Sequence, residues 1–168
     1  YLNPETFHTA PMFFLSTDVP ENDHISKTIC HRLYDANEST KIAQYILLGK
    51  GGAKLLDVMN FERDVYHLNE AHGLPAAFYL LKKFGGDLAK VKEKLVFTTH
   101  TPEEAGNEKH NINLCHDMSY FSGLSLNEVK TIEGVEDDRF NHSLCALRMA
   151  RVANGVSQLH GVVSRKMW

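Results

Sequence analysis

Three apolar runs, each ending in a short polar cluster, constrain the fold of this chain more than any other feature. Counted from the end of the apolar run that precedes each of them, the clusters span Val65–His72, Val96–Pro102 and Ala153–His160. Each run has the length and β-branched content of a buried strand, and each cluster falls where the chain would turn into a loop or a helix. Ligands of open α/β sheets bind outside the carboxyl ends of the strands. The three clusters therefore predict one polar pocket.

The remaining apolar pattern predicts helices that alternate with strands. Strands are expected at Met12–Leu15, Asp64–Leu68, Leu95–Thr98 and Val152–Val156. Helices are expected at Ile25–Tyr34, Lys41–Met59, Pro75–Phe84, Leu88–Leu95, Leu114–Phe121, Leu126–Ile132, Leu144–Arg151 and Gln158–Met167. This alternation predicts an α/β fold in which helices cover both faces of a parallel sheet.

Glycine and capping residues predict how these elements bend and end. The glycine-rich stretch Gly49–Gly52 interrupts the second helix, which indicates a kink or a close approach to a neighbour. Ser143 and Ser157 are expected to cap the last two helices. The polar segments expected to be loops are Pro102–Asn113 and Gly134–Asn141.

Length and composition indicate a soluble globular chain. With 168 residues, 43% apolar and 23% charged, it is long enough to bury a core and is not disordered. The net charge of −3 and scattered basic residues argue against a nucleic-acid partner, and no apolar stretch reaches the roughly 20 residues of a membrane span. Three widely spaced cysteines indicate reduced thiols and a cytoplasmic location. Because the chain starts at Tyr1 without a methionine, we expect a single partial domain, residues 1–168, of a longer protein.

The polar side chains of the three clusters suit a neutral ligand rich in hydroxyl groups. Asn69, Glu70 and His72 follow the second strand, Thr98–Thr101 end the third, and His160 lies one turn into the last helix. A sugar site is built from amides, hydroxyls, imidazoles and a few carboxylates, which this set provides. Each cluster alone also has a plainer explanation, since Asn69 or Glu70 could cap the next helix and the threonines could simply favour a strand.

Other chemistries find weaker support in the sequence. Ten histidines are present, but there is no His-Glu-x-x-His and no Cys-x-x-Cys motif, so no metal site is expected. There is no Gly-x-Ser-x-Gly elbow, and Gly49–Gly52 lacks the Gly-Lys-Ser/Thr end of a phosphate-binding loop. Cys115, beside His116, is expected to pack inside a helix.

The order of these motifs resembles that of the α-glucan phosphorylases, the family of glycogen, starch and maltodextrin phosphorylases. The resemblance covers nearly the whole chain and is greatest to the bacterial and archaeal branch. The matching segments are Thr17–Asn22, His67–His72, Phe97–Pro102, Ala105–Asn107 and Asn154–Trp168. By this resemblance the chain corresponds to the later part of the N-terminal domain of such enzymes.

The resemblance implies a glycosyltransferase of the GT-B architecture, in which two Rossmann-like domains face each other across a cleft. The chain would then be an α/β fold, with a Rossmann-like parallel sheet flanked by helices, within the N-terminal domain. These retaining enzymes release glucose 1-phosphate from α-1,4-glucans with inorganic phosphate. Their pyridoxal phosphate belongs to the C-terminal domain, so this fragment is expected to hold no cofactor and to be inactive alone.

The resemblance also implies roles for single residues. His100 matches the histidine that contacts the glucosyl unit, and its main-chain carbonyl would stabilise positive charge that develops on the sugar. Asn69, Glu70, His72 and Thr101 match the polar wall of the same pocket. Further matches in this pocket are His160 and a loop acid that is either Glu103 or Glu104.

Two alternatives to a phosphorylase stay open from the sequence. A nucleotide-sugar-dependent transferase of the glycogen-synthase type shares the architecture, and a non-catalytic carbohydrate-binding or interaction module could have kept the fold. The uncovered sheet edges and apolar surface of a partial domain favour self-association, so a homo-oligomer is expected. The chain departs from the family at Ala71, where Gly or Thr is frequent, and at His142, where Met is frequent.

Overall fold

A computed structural model of the chain gives the placement of residues 4–8, 10–33, 35–61, 63–102 and 107–168. The contacts divide the chain into two compact parts, Tyr1–Tyr34 and Asp35–Trp168. Among its described residues, the first part has as helices only α1 (Pro4–Phe7) and α2 (His24–Lys27). The expectation of a single partial domain stays a prediction.

The second part contains two small sheets and eight further α-helices within the described ranges. Its strands are β1 (Tyr66–Asn69), β2 (Leu95–Thr99), β3 (Lys109–Asn111), β4 (Arg139–Asn141) and β5 (Val152–Gly155). Its helices are α3 (Glu38–Ile46), α4 (Gly52–Val58), α5 (Pro75–Lys83), α6 (Leu88–Lys94), α7 (Ile112–Asp117), α8 (Leu126–Glu133), α9 (His142–Met149) and α10 (Gln158–Met167). In the part of the chain that the structure describes, no helix has the length and apolar character to cross a lipid bilayer.

The larger sheet is parallel and has three strands in the order β1–β2–β5. The central strand β2 is paired on both sides, with Leu68 and Ala153 opposite Phe97. Leu95 and Phe97 are fully buried on one face of β2, and Thr98 is buried on the other. Helical segments connect the three strands, because a parallel pair requires a long crossover. The predicted parallel sheet flanked by helices is confirmed.

An aromatic cluster fills the core beside the smaller sheet. Phe78 of α5, Phe121 and Phe140 of β4 are fully buried and pack at steep angles, with ring centroids 4.9–6.2 Å apart. Burial of each such side chain contributes about 1.5–3 kcal/mol. The cluster therefore anchors β4, and the start of α9 that follows it, against α5.

The smaller sheet occupies segments that the sequence analysis assigns to loops. β3 and β4 pair antiparallel, with His110 opposite Phe140. The loop predictions over Pro102–Asn113 and Gly134–Asn141 are therefore wrong at these strands. A three-residue strand is too short to show the alternation by which a strand is recognised.

Two predictions in the first part of the chain are also wrong. Met12–Leu15 forms no strand, and Met12 and Phe14 are 69% and 88% exposed. An apolar run becomes a strand only where it finds a partner, and none pairs with it among the described residues. The predicted helix Ile25–Tyr34 is reduced to the four residues of α2, which ends at Lys27.

The caps of the last two helices differ in outcome. Ser157 caps α10 as predicted, since its hydroxyl accepts the His160 N–H at 3.1 Å. The predicted cap of α9 is wrong, because Asn141 Oδ1 and not Ser143 accepts the Leu144 N–H, at 3.0 Å. Asn141 ends β4 with extended backbone, which is the conformation that lets a capping side chain turn back onto the helix.

Helices α3 and α4 form one helical segment joined by a π-turn at Leu47–Gly51. Within this turn Gly49 is buried against the 3₁₀ turn Ala71–Gly73 that follows β1. A Cβ atom at Gly49 would lie 2.6 Å from the Gly73 carbonyl oxygen and 2.8 Å from the Ala76 nitrogen. The predicted close approach at the glycine-rich stretch is confirmed, and it is an approach of backbone to backbone.

Gly49→Ala should destabilise the protein, by about 1–3 kcal/mol, because the added methyl group collides with backbone that cannot move aside. Gly52→Ala is the matched control: nothing lies within 4 Å of a Cβ atom there, and its backbone is helical. That variant should gain about 0.5–1 kcal/mol from helix propensity. Urea unfolding of both variants measures the difference, and equal stability would contradict the close approach.

Asp57 ties the end of α4 to α5 and to the residues before β1. Its Oδ2 accepts hydrogen bonds from Tyr79 Oη at 2.9 Å and Lys83 Nζ at 2.8 Å, and its Oδ1 pairs with Arg63. Burial alone would raise the pKa of this carboxyl, but the hydrogen bonds from Lys83 and Tyr79 and the two nearby cations outweigh it. The pKa of Asp57 is consequently lowered from 3.8.

Asp57→Asn should lower the free energy of unfolding at pH 7, by about 1–3 kcal/mol, because it removes a charged acceptor. The folded pKa lies below the unfolded one, so this contribution is present above the unfolded pKa and is lost as pH falls through the folded value. The difference in the free energy of unfolding between wild type and variant, measured by urea titration, should therefore become smaller from pH 7 to pH 3. The exposed Glu93→Gln on α6 is the control, and a gap that is independent of pH would refute the ion pairing.

Candidate functional site

The ends of the three parallel strands lie side by side. Asn69 of β1 is opposite Thr98 of β2, which in turn is opposite Asn154 of β5. Thr98 Oγ1 donates to Asn154 Oδ1 at 2.9 Å and is 2.7 Å from His67 Nε2. A row of polar side chains therefore crosses the sheet at the edge where ligands of α/β folds bind.

Glu70 connects the end of β1 to the loop after β2. Its N–H donates to the Thr98 carbonyl at 2.9 Å, which extends the pairing of the two strands by one bond. Its Oε1 accepts the main-chain N–H of His100 and the Thr101 hydroxyl, the latter at 3.3 Å. One residue thus fixes the course of two adjacent loops.

The backbone of Glu70 is strained. Its φ of 64° and ψ of 171° lie in a region that is open almost only to glycine. Such a conformation costs on the order of 1–3 kcal/mol and persists where surrounding contacts enforce it, most often at functional sites. The cost is offset by the bonds to Thr98, His100 and Thr101.

The imidazole of His100 is held by Asn69. His100 Nε2 lies 2.5 Å from Asn69 Oδ1. Because this amide oxygen can only accept, the proton of the hydrogen bond lies on Nε2, which leaves Nδ1 as the ring nitrogen that can contact a ligand. Both residues are exposed, so the oriented ring faces space that a ligand can enter.

A small pocket of about 60 Å³ lies beside this loop and includes three of the predicted site residues, Glu70, His72 and Thr101. Tyr45 of α3 forms part of its wall and stacks on the His72 ring, with centroids 5.0 Å apart. The lining residues that sequence analysis did not predict are Tyr45, Ala71, Glu108, His142 and Ser143.

Glu108 gives the pocket a second carboxylate. Lys41 Nζ lies 3.1 Å from its Oε1, and the Tyr45 hydroxyl donates to its Oε2. Burial raises the pKa of Glu108, but the hydrogen bonds from Tyr45 and Lys41 lower it by a larger amount. The net pKa is therefore below 4.5. The carboxylate is therefore ionised near neutral pH.

His160 does not line this pocket. Its ring is buried at the turn from β5 to α10, where Nδ1 accepts the Val156 N–H at 3.2 Å. A Cβ atom on Gly155 would lie 3.1 Å from the ring, which explains the glycine before the turn. The buried Nε2 has no hydrogen-bond partner within the described chain. The two remaining predicted acids, Glu103 and Glu104, lie outside the described residues.

The sequence does not predict three of the lining residues, because they come from α3, from the segment before β3 and from α9. These residues are Tyr45, Glu108 and His142. None of them follows a strand of the parallel sheet, so a pattern of polar strand ends does not predict them. The departure from the family at His142 was the one hint in the sequence, since a histidine in place of an apolar residue needs polar partners.

Comparison with known proteins identifies relatives along almost the entire chain. An uncharacterised protein of Methanocaldococcus jannaschii is 44% identical over 99% of this chain and 31% of its own length. The maltodextrin phosphorylase of Thermococcus litoralis is 37% identical over 94% of this chain and 20% of its own length. The glycogen phosphorylase of Mycobacterium tuberculosis is 33% identical over 94% of this chain and 21% of its own length.

This chain matches a segment of the glycogen and maltodextrin phosphorylases. The resemblance inferred from the motifs is thereby confirmed. The chain spans between about a fifth and a third of the length of the curated relatives it matches. No family model matches it.

Glu70→Ala should loosen the loop at His100. Loss of a hydrogen bond to a charged acceptor costs about 1.5–3 kcal/mol, so exchange of the His100 amide hydrogen should become roughly 10- to 100-fold faster. Glu70→Gln keeps an oxygen that can accept both bonds and should preserve most of the protection. Hydrogen-exchange measurements by NMR on both variants test this, and unchanged protection in Glu70→Ala would disprove the link.

Proposed function

We propose that this chain is part of an α-glucan phosphorylase and forms one wall of its sugar-binding site. The whole protein would release glucose 1-phosphate from α-1,4-glucans with inorganic phosphate, as a retaining glycosyltransferase of the GT-B architecture. The observation that carries the proposal is the strained Glu70, which fixes the loop of His100 beside Asn69 at the ligand-binding edge of the sheet. The names of the relatives support the reaction class.

His100 would be the residue closest to the reacting sugar. Asn69 holds its ring so that Nδ1 can accept a hydrogen bond from a sugar hydroxyl. The bond from the His100 N–H to Glu70 fixes the same peptide segment, including the His100 carbonyl. That carbonyl would stabilise positive charge on the sugar ring in the transition state, because a preorganised dipole needs no rearrangement during the reaction.

Most of the other predicted residues would bind the sugar without taking part in bond cleavage. Glu70, His72 and Thr101 line the pocket and would accept or donate bonds to hydroxyl groups. Glu103 or Glu104 would contribute a loop acid. His160 would support the turn after β5, since its ring bonds to Val156 and lies against Gly155.

The pocket needs a second wall to enclose a glucosyl unit. Its volume of about 60 Å³ is well below the roughly 300–1,000 Å³ of ligand pockets. A facing domain would supply the missing wall and exclude water from the reacting centre. This is the geometry of a cleft between two domains, in a cytoplasmic enzyme.

The described pocket does not fit pyridoxal phosphate. Glu70 and Glu108 both line it, and two carboxylates would repel the phosphate group of the cofactor. We therefore assign the cofactor, and the phosphate-binding cations, to the facing domain. The part played by this chain would be to orient the sugar and to stabilise its positive charge.

The test is an assay of the longer parent protein with maltodextrin and inorganic phosphate. Glucose 1-phosphate should form, and His100→Ala should reduce its rate by about 10²- to 10³-fold, as expected for removal of one transition-state contact. His116→Ala, on the exposed side of α7, should retain activity.

Two results would overturn the proposal. Glucosyl transfer from a nucleotide sugar, without product from phosphate, would indicate a glycogen-synthase-like enzyme. Binding of maltodextrin without turnover, in protein with its cofactor bound, would indicate a carbohydrate-binding module. Normal activity in His100→Ala would remove this histidine from the site.

A further inference from the structure

Three buried residues behind the pocket combine two imidazoles and a thiol. They are His110 of β3, Cys115 of α7 and His142 of α9. One ligand atom from each lies within 4.8 Å of those of the other two. All three residues are buried, and each comes from a different element, so the fold and not a local sequence motif brings them together.

The two histidines face each other with defined atoms. His110 Nδ1 lies 2.9 Å from His142 Nε2, and the ring planes are nearly perpendicular. The outer nitrogen of His142 has a hydrogen-bond partner, since Nδ1 lies 2.7 Å from the Tyr120 hydroxyl. His110 Nε2 has the Glu108 carboxylate as a neighbour, with Oε2 at 3.9 Å, which is beyond hydrogen-bond distance. Metal-binding histidines are oriented in this way, with a hydroxyl, carbonyl or carboxylate at the nitrogen that does not bind the metal.

We propose that His110, Cys115 and His142 bind one divalent metal ion of the zinc class. This inference is independent of the proposed function, because none of the three residues is among the predicted sugar contacts. The metal-binding atoms would be His110 Nδ1, His142 Nε2 and Cys115 Sγ. A thiolate with two imidazoles is a ligand set that suits Zn²⁺ and disfavours Mg²⁺ or Ca²⁺, which prefer oxygen.

The distances fit such an ion after a small adjustment. Zinc bonds of about 2.0–2.1 Å to nitrogen and 2.3 Å to sulfur place tetrahedral ligands roughly 3.3–3.6 Å apart. The imidazole nitrogens at 2.9 Å would therefore separate by a few tenths of an ångström, and the thiol would move inward from within 4.8 Å. Binding would release the thiol proton, so that the metal–sulfur bond replaces the S–H bond. The proton between the two rings would move to the outer nitrogen of the ring that carries it, so both imidazoles bind the ion in their neutral form.

Charge and access also support the site. A divalent ion with one thiolate keeps one positive charge, which the carboxylate of Glu108 near His110 would offset. His142 and Glu108 line the pocket, so an ion can reach the cluster from that side and a water molecule can complete its coordination. Closed protein interiors without such a path would not exchange metal readily.

The test is a titration of the metal-free full chain with Co²⁺ and with Zn²⁺. One equivalent of Co²⁺ should bind and produce a thiolate-to-cobalt charge-transfer band in the near ultraviolet, and Zn²⁺ should abolish this band by displacement. Cys115→Ser should lose the band, and His142→Met should lose at least tenfold in affinity. Tyr120→Phe, which removes only the outer partner of His142, should weaken binding by about 10- to 100-fold.

Two control variants separate this site from adventitious binding. Cys145→Ser removes the buried cysteine of α9, and His116→Asn removes the exposed histidine next to Cys115. Both variants should still bind one equivalent of Co²⁺ and show the thiolate-to-cobalt charge-transfer band. Because a buried variant could fail to fold, the wild-type spectrum is decisive: absence of a thiolate band at one equivalent of Co²⁺ overturns the proposal. Equal affinity of folded Cys115→Ser and wild type would overturn it as well.

Discussion

The pairing of β2 on both of its edges determines where the polar side chains of the candidate site meet. Parallel register places Asn69, Thr98 and Asn154 at one level, so their side chains reach the same edge of the sheet although they are far apart in sequence. A shift of either neighbour by one residue would turn alternate side chains to the other face and dismantle the row. The burial of Leu68 opposes such a shift of β1, because the shift would move this side chain away from the core.

Backbone strain in the candidate site is concentrated at Glu70, and hydrogen bonds to neighbouring residues offset its cost. Glu70 adopts a glycine-like backbone, yet glycine could not supply the carboxylate that receives His100 and Thr101. The backbone angle and the side-chain bonds thus depend on one another, which links the two strand ends into a unit. Gly49 extends the dependence to α3 and α4, since the close approach at Gly73 sets the position of the turn after Glu70.

The sequence predicts those parts of the fold whose signals are local. Short apolar segments and the polar residues that follow them identify β1, β2 and β5, and Ser157 identifies the start of α10. Signals fail where the outcome depends on distant partners, as at Met12–Leu15, which has the composition of a strand but pairs with none in the described chain. The same holds for the pocket: a strand end indicates Glu70, whereas Tyr45 lines the pocket through its stacking on His72 and its hydrogen bond to Glu108, which join distant segments.

The π-turn between α3 and α4 changes the direction in which the side chains of α4 point relative to those of α3. Upstream of the turn Tyr45 faces His72, and downstream Ala53 is buried. A regular α-helix advances about 100° per residue, so the extra residue of a π-turn resets the phase of everything that follows it. Regular α-helical hydrogen bonding over the same number of residues would turn Ala53 by about 100° relative to Tyr45, so the two could no longer both face their present neighbours. Helix length, and not only helix composition, is therefore under constraint in this part of the chain.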